Sequence, residues 1–155
     1  MSRPDLQKIA EERFLSYLKK EGARKTPERM SILKMVYEME GHFEVEELFR
    51  ACRIDSPGIS LATVYNTLEL FLDAQLVMKL QFGDARTYYE RLIGAKQHDH
   101  LMCNQCHQII EFCAPSIQPV KTQMGEVLGF DITRHALTLH GDCMKEDCPN
   151  RMLTD

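Results

Sequence analysis

Apolar positions in the first 75 residues recur at helical spacing. Leu6, Ile9, Ala10, Phe14, Tyr17 and Leu18 predict an amphipathic helix over residues 5–21, stopped by Gly22. Thr26-Pro27 has the form of an N-cap followed by proline at the first helical position. It opens a second helix whose Met30, Leu33, Lys34 and Tyr37 share one face before Gly41 closes it. A third helix is predicted from Glu44 to Arg53, with Val45, Leu48 and Phe49 inward, and Asp55-Ser56-Pro57-Gly58 reads as a turn. Ser60 then caps a fourth helix. Its Leu61, Val64, Leu68 and Phe71 form a buried stripe and leave Ala62, Thr63, Tyr65, Asn66 and Glu69 off it.

The period changes after Ala74-Gln75. Leu76–Phe82 and Arg86–Arg91 read as strands around a Gly83-Asp84 hairpin turn. Three helices, a fourth after a short turn, then a hairpin: that is the order of a winged helix. In such folds the second helix of the helix-turn-helix pair enters the major groove. Residues 92–97 read as a connector. Beyond it, strand-like His98–Cys103 and Gln108–Phe112 flank a cysteine-rich turn. Ser116 is the expected cap of a helix reaching about Leu128, with Pro119 tolerated in its first turn. Gly129 ends it, and the alternation over Asp131–His140 predicts a late strand carrying His135. The expected class is α+β.

Composition changes this picture in two ways. The chain has 155 residues and a net charge of −4, which does not suggest a polyanion binder. The total hides a gradient: residues 1–34 carry nine basic against five acidic side chains, residues 93–155 five against eight. Phosphate contacts need a local basic surface, not a basic total. No apolar run approaches the ~20 residues that span a bilayer. Met1–Asp5 lead into a charged stretch with no apolar h-region. The expected location is the cytoplasm, with no membrane partner.

In a reducing compartment, paired cysteines more often bind metal or do redox chemistry than form structural disulfides. Cys103-x2-Cys106 and Cys143-x4-Cys148 each put two thiols on one turn, the donor set of a structural Zn2+ that would pin the tail to the sheet. A redox Cys-x-x-Cys is the rival reading, but such pairs favour a helix N-terminus and this one lies between strands. Cys52 and Cys113 are left over and are expected to be buried small hydrophobes. In a strand His98 and His100 point to one face and Asp99 to the other. Glu111 falls on the partnering strand, while His42 and Glu90 lie in the first half of the chain. Imidazole with carboxylate suits Fe2+, Mn2+ or Zn2+.

These residues together resemble the ferric uptake regulator (Fur) family over nearly the whole chain. Leu61-Ala62-Thr63-Val64-Tyr65 is similar to the family's recognition helix. His98-Asp99-His100-Leu101-Met102-Cys103-Asn104-Gln105-Cys106 is similar to its metal signature, and Ile110-Glu111-Phe112 and the late Cys143/Cys148 pair match in order and spacing. The resemblance implies a winged-helix DNA-binding domain at 1–91, a hinge at 92–97 and an α/β dimerisation and metal-binding domain at 98–155. It implies structural Zn2+ on Cys103, Cys106, Cys143 and Cys148. It implies a regulatory site of His42, Glu90, His100 and Glu111, with His98 as a further candidate. A second site would use Asp99 and His135, with Gln118 standing where the family usually has a carboxylate; His98 also matches that site in some members.

DNA contacts are implied for Arg24, Lys25, Thr63, Tyr65 and Asn66. The function implied is a homodimeric repressor that binds palindromic, A·T-rich double-stranded DNA when loaded with Fe2+, with Mn2+ or Zn2+ as alternatives. The peroxide-sensing branch of the family is the rival: Tyr65-Asn66 and Phe82-Gly83-Asp84-Ala85 resemble it, but that branch typically has aspartate at the positions of Glu90 and Glu111. From a different class, a zinc-dependent or thiol redox enzyme would need a nucleophile with an orienting partner, and the sequence offers no such pair.

Overall fold

The structure is a computed structural model that describes residues 3–82, 86–95, 97–106 and 108–144. The expected Gly83-Asp84 turn, Lys96 of the connector and Cys148 lie outside the described residues. The chain divides into two compact units, Met1–Ala95 and Lys96–Asp155.

The first unit runs α1 (Arg3–Lys20), α2 (Pro27–Glu38), α3 (Val45–Asp55), α4 (Leu61–Asp73), β1 (Val77–Phe82) and β2 (Arg86–Arg91). Leu6, Ala10, Phe14 and Leu18 recur every four residues and form the buried stripe of α1. The Phe14 ring meets Phe71 of α4 edge-on, with centroids 4.9 Å apart. The Arg29 N–H donates to Thr26 Oγ1 (3.3 Å), which caps α2 as expected. The buried face of α2 is wider than predicted. Ile32 and Val36 are buried with Leu33 and Tyr37 because α2 packs against α1, α3 and α4 together. Lys34, expected on that face, is exposed and pairs with Glu38 at 3.6 Å. The Tyr37 hydroxyl donates to the Leu76 carbonyl (2.9 Å), and burial pushes its pKa up to about 12, so it remains a donor at neutral pH.

α3 continues past the expected Arg53 to Asp55, and the Ser56 N–H closes it on the Cys52 carbonyl. Cys52 is buried as expected, and burial raises its thiol to about 11, leaving an inert apolar group. In α4 the Thr63 N–H donates to Ser60 Oγ (3.1 Å), and Val64, Leu68 and Phe71 are fully buried. β1 and β2 pair antiparallel from Val77↔Arg91 to Phe82↔Arg86. A single bridge, Phe43↔Tyr89, ties the α2–α3 connection to the outer side of β2. The unit is a winged helix.

The second unit holds β3 (Asp99–Cys103), β4 (Ile109–Phe112), α5 (Ile117–Leu128) and β5 (Thr138–Gly141). Its sheet is ordered β4-β3-β5, with β3 antiparallel to β4 and parallel to β5. Three expectations are corrected here. The late strand is short. Residues 131–137 form no strand, because side chains take over their backbone partners: the Leu137 N–H donates to Asp99 Oδ1 (3.2 Å) and Gln97 Nε2 donates to the His135 carbonyl (3.1 Å). His135 therefore precedes β5, and His98 likewise precedes β3. Ser116 makes no side-chain cap, since its own backbone is already helical (φ −63°, ψ −16°). Gly129 ends α5 as expected, at φ +73°, where a side chain would be strained.

Candidate metal centres and DNA-reading face

In the first unit, two backbone hydrogen bonds between Phe43 and Tyr89 (3.0 and 2.8 Å) fix the α2–α3 connection on β2. His42 and Glu90 are the chain neighbours of that bridging pair. Their side chains meet, with Nε2 3.5 Å from Oε2 and only 11% and 7% exposed. An imidazole and a carboxylate, largely dehydrated and side by side, are donors that could serve a borderline divalent cation.

The second unit carries three further groups. His98 and His100 bring their rings within 4.8 Å, edge to face, as alternating residues on one face should. Glu111 lies directly across from His100 in the β3–β4 register, hence on the same face, and is exposed. Asp99 points the other way and is 2% exposed; its Oδ1 stands 3.2 Å from His135 Nε2. Gln118, on α5, lines one pocket of about 190 Å3 with Asp99 and His135.

At the far end of β3, Cys103 and Cys106 are buried together and Cys143 packs on them. The register explains this. Cys103 lies opposite Gly141 on β5, and the Asn104 N–H donates to the Gly141 carbonyl (2.9 Å), so the chain delivers Cys143 beside the Cys103–Cys106 turn. The Cys106 N–H donates to Cys103 Sγ (3.5 Å) and is the first cause holding that thiol down to about 7, with the Gln105 and Cys143 amides adding to it. Clustered thiols, with Cys103 held by backbone donors and inclined to ionise, fit a zinc–thiolate centre. The fourth expected ligand, Cys148, lies outside the described residues.

The candidate DNA contacts all fall on the first unit. Tyr65 and Asn66 face outward from α4, and Tyr65 is 42% exposed. Thr63 is half-buried, its hydroxyl 2.8 Å from Ser60 Oγ in the N-terminal turn of α4. Arg24 and Lys25 are exposed between α1 and α2, with Lys25 Nζ 3.8 Å from Glu11.

One contact escaped the sequence reading, and one expected burial is corrected. The Tyr65 hydroxyl donates to Glu46 Oε1 on α3 (3.3 Å), and burial with that carboxylate raises its pKa. No local spacing links residues so far apart. Cys113, expected inside, is exposed just past β4 and lines the pocket of Asp99, His135 and Gln118. It sits where the sheet edge ends, so no second layer covers it.

A winged helix with an outward α4, followed by a unit with clustered cysteines and paired imidazoles, is the build of a metal-responsive DNA-binding regulator. The profile of the ferric uptake regulator family matches residues 20–140. The peroxide-responsive repressor PerR of Staphylococcus saprophyticus is 32% identical over 137 residues, spanning 88% of this chain and 90% of that protein. Among solved structures, the ferric uptake regulator of Vibrio cholerae is 32% identical with a TM-score of 0.64, covering 81% of this chain and 96% of that one. The ferric uptake regulator of Pseudomonas aeruginosa with manganese is 29% identical with a TM-score of 0.72, covering 84% and 97%. The chain belongs to the ferric uptake regulator family. It is a metal-responsive transcriptional regulator and not an enzyme. Among the described residues, no helix is long and apolar enough to cross a membrane.

Proposed function

We propose that this chain is an Fe2+-sensing repressor that binds an A·T-rich palindromic operator as a cytoplasmic homodimer. Its regulatory cation is held by His42, Glu90, His98, His100 and Glu111, with Mn2+ or Zn2+ as alternative occupants. Residues 1–91 read DNA, 92–97 act as the hinge, and 98–155 dimerise and bind metal. The observation that carries this reading is the pre-grouping of donors within each unit: His42 against Glu90 at 3.5 Å, and His98 against His100 at 4.8 Å between rings. Each subset alone leaves a divalent ion short of ligands.

A bound cation supplies a crosslink that only one arrangement of the units completes, so it shifts their population towards that arrangement. The protein's residues do the rest. In a twofold dimer, two copies of α4 enter successive major grooves. Asn66 has the amide that reads adenine bidentately, beside Tyr65. Arg24 and Lys25 suit the narrow, strongly negative minor groove of A·T-rich DNA. Cys103, Cys106, Cys143 and Cys148 are proposed to hold the structural zinc that ties the tail to β3. Dimerisation is supported by α5: Val120, Met124, Val127 and Leu128 form one apolar stripe and all are exposed, a face that a second copy would cover.

Operator binding by fluorescence anisotropy tests this. Fe2+ under anaerobic conditions, or Mn2+, should raise affinity for an A·T-rich palindrome, with a steep salt dependence. His100→Ala should remove the metal response while dimer and zinc content persist. A metal response that survives His100→Ala contradicts the proposed site.

Peroxide sensing is a second reading, favoured by the 32% identity to the Staphylococcus saprophyticus repressor. The Fe2+-loaded chain treated with peroxide separates the two. Mass spectra showing an added oxygen on His42 or His100, with loss of DNA binding, favour peroxide sensing; unmodified histidines favour iron sensing.

A further inference from the structure

We propose that Glu46 sets the base selectivity of Tyr65: it holds the hydroxyl proton, so the phenol meets the major groove as an acceptor and rejects guanine. This rests on the proposed reading of DNA by α4 and adds a specificity-determining position on α3. The Tyr65 hydroxyl donates to Glu46 Oε1 at 3.3 Å. Both backbones that carry the pair are fixed. Val45 and Leu48 beside Glu46 are buried, and the Phe43↔Tyr89 bridge anchors the start of α3 to β2. Val64 and Leu68 seat the Tyr65 turn of α4 in the same core.

The Tyr65 ring has somewhere else to go. Tyr65 and Glu46 line one pocket of about 300 Å3 with Lys79, Thr87 and Tyr89 of the β1–β2 hairpin, entirely within the first unit. That space admits a phenol ring, and Tyr65 is 42% exposed, so without Glu46 other rotamers are open to it. Fixing the ring before DNA arrives removes an ordering cost from binding. A carboxylate beside a DNA-reading side chain also repels phosphate, so by charge alone Glu46 weakens binding. Preorganising Tyr65 offsets that penalty.

The selectivity follows from the hydroxyl. A phenol has one proton to give and lone pairs that accept. Its pKa is raised above the ordinary value, by burial first and by Glu46 next, so the proton stays in place. With that proton directed at Glu46, the oxygen lone pairs and the ring edge are what Tyr65 offers to DNA. In the major groove the amino groups of adenine and cytosine donate and the thymine methyl is apolar, whereas guanine presents two acceptors, N7 and O6. Acceptor against acceptor is repulsive, so guanine is refused at the contacted base, and a phosphate oxygen is refused for the same reason. A released hydroxyl would rotate and donate to either, and the selectivity would go.

Selection from a pool of random duplexes by the full-length, zinc-retaining, Mn2+-loaded protein tests this. Fluorescence anisotropy then compares the recovered duplex with guanine-substituted versions of it. The position that Tyr65 reads is the one where Tyr65→Phe alters the preference. There the unaltered chain should exclude guanine, and Glu46→Ala should lower that discrimination roughly fivefold or more. Glu46→Gln keeps an acceptor and should keep the discrimination, while both variants gain affinity for all duplexes through the lost charge. In the Tyr65→Phe background, Glu46→Ala should leave the ratio unchanged. Glu46 is exposed, so neither substitution disturbs the core, and zinc content and secondary structure verify this. Discrimination kept in Glu46→Ala, lost equally in Glu46→Gln, shifted by Glu46→Ala in the Tyr65→Phe background, or unaltered by Tyr65→Phe at every position overturns this inference alone. An unaltered chain that enriches no sequence overturns the DNA-reading role and this inference with it.

Discussion

In Met1–Ala95 four helices cover one another's apolar stripes, and the side chains of Phe14, Ile32, Leu48, Val64, Leu68 and Phe71 are fully shielded. Among the described residues of Lys96–Asp155, α5 is the only helix and contributes no buried residue, and Met102, Cys103 and Cys106 are the buried apolar side chains. The first unit therefore draws its stability from area removed from water. Among its described residues the second is small and has little core, and small units of that kind draw on metals, crosslinks or oligomerisation. This division suits the work proposed for each part: a rigid DNA-reading head, and a metal-sensing body stabilised by what it binds.

The contrast between the units should break most sharply at the proposed zinc cluster. Cys103→Ser should lose zinc and the cooperative fold of the second unit, since structural zinc binding is worth about 10–16 kcal/mol of apparent free energy. Hydrogen exchange should show protection lost over β3–β5 and kept in α1–α4; protection retained throughout would mean that the sheet stands without metal. The same cluster has a pH signature. Backbone donors, the Cys106 N–H first, hold the Cys103 thiol at about 7 rather than the ordinary 9.0, so protons compete for this ligand increasingly as pH falls through 7. Zinc retention against a chelator should fall across the same range.

Phe14→Ala should cost about 3–5 kcal/mol in the first unit alone, read as a shifted urea midpoint for the helical signal with zinc content unchanged. Val127→Asp, at a position 69% exposed, should leave each chain folded but weaken the dimer by about 2 kcal/mol or more, measured by sedimentation equilibrium. An unchanged dimer would mean that α5 is not the interface. The smallest effect is expected at the α2 cap, where Thr26→Ala should cost about 1 kcal/mol in the same urea experiment.

Legibility in the sequence follows the same division. Where stripes are covered by neighbouring helices, periodicity is the physics of the fold, and α1, α3 and α4 with the caps Thr26 and Ser60 could be read directly. The breadth of the α2 face could not, because Ile32 and Val36 are buried by helices on two sides and a single-face pattern does not anticipate that. In the second unit, alternation over Asp131–His140 suggested a strand that Asp99 and Gln97 side chains in part replace. Cys113 was assigned inside from residue type alone, though it sits at an uncovered edge. The pairing of His42 with Glu90 depends on the Phe43↔Tyr89 bridge, a long-range backbone contact with no local signal; only the resemblance to the family joined them.

The central claim is that His42, from the reading head, and His100, from the sensing body, hold one and the same cation. A double-mutant cycle on Mn2+ affinity, measured by calorimetry with zinc retained, tests it most directly. The account predicts that His42→Ala and His100→Ala each weaken binding strongly and that the double variant is little worse than either. Losses that simply add would assign the two histidines to separate ions and contradict it.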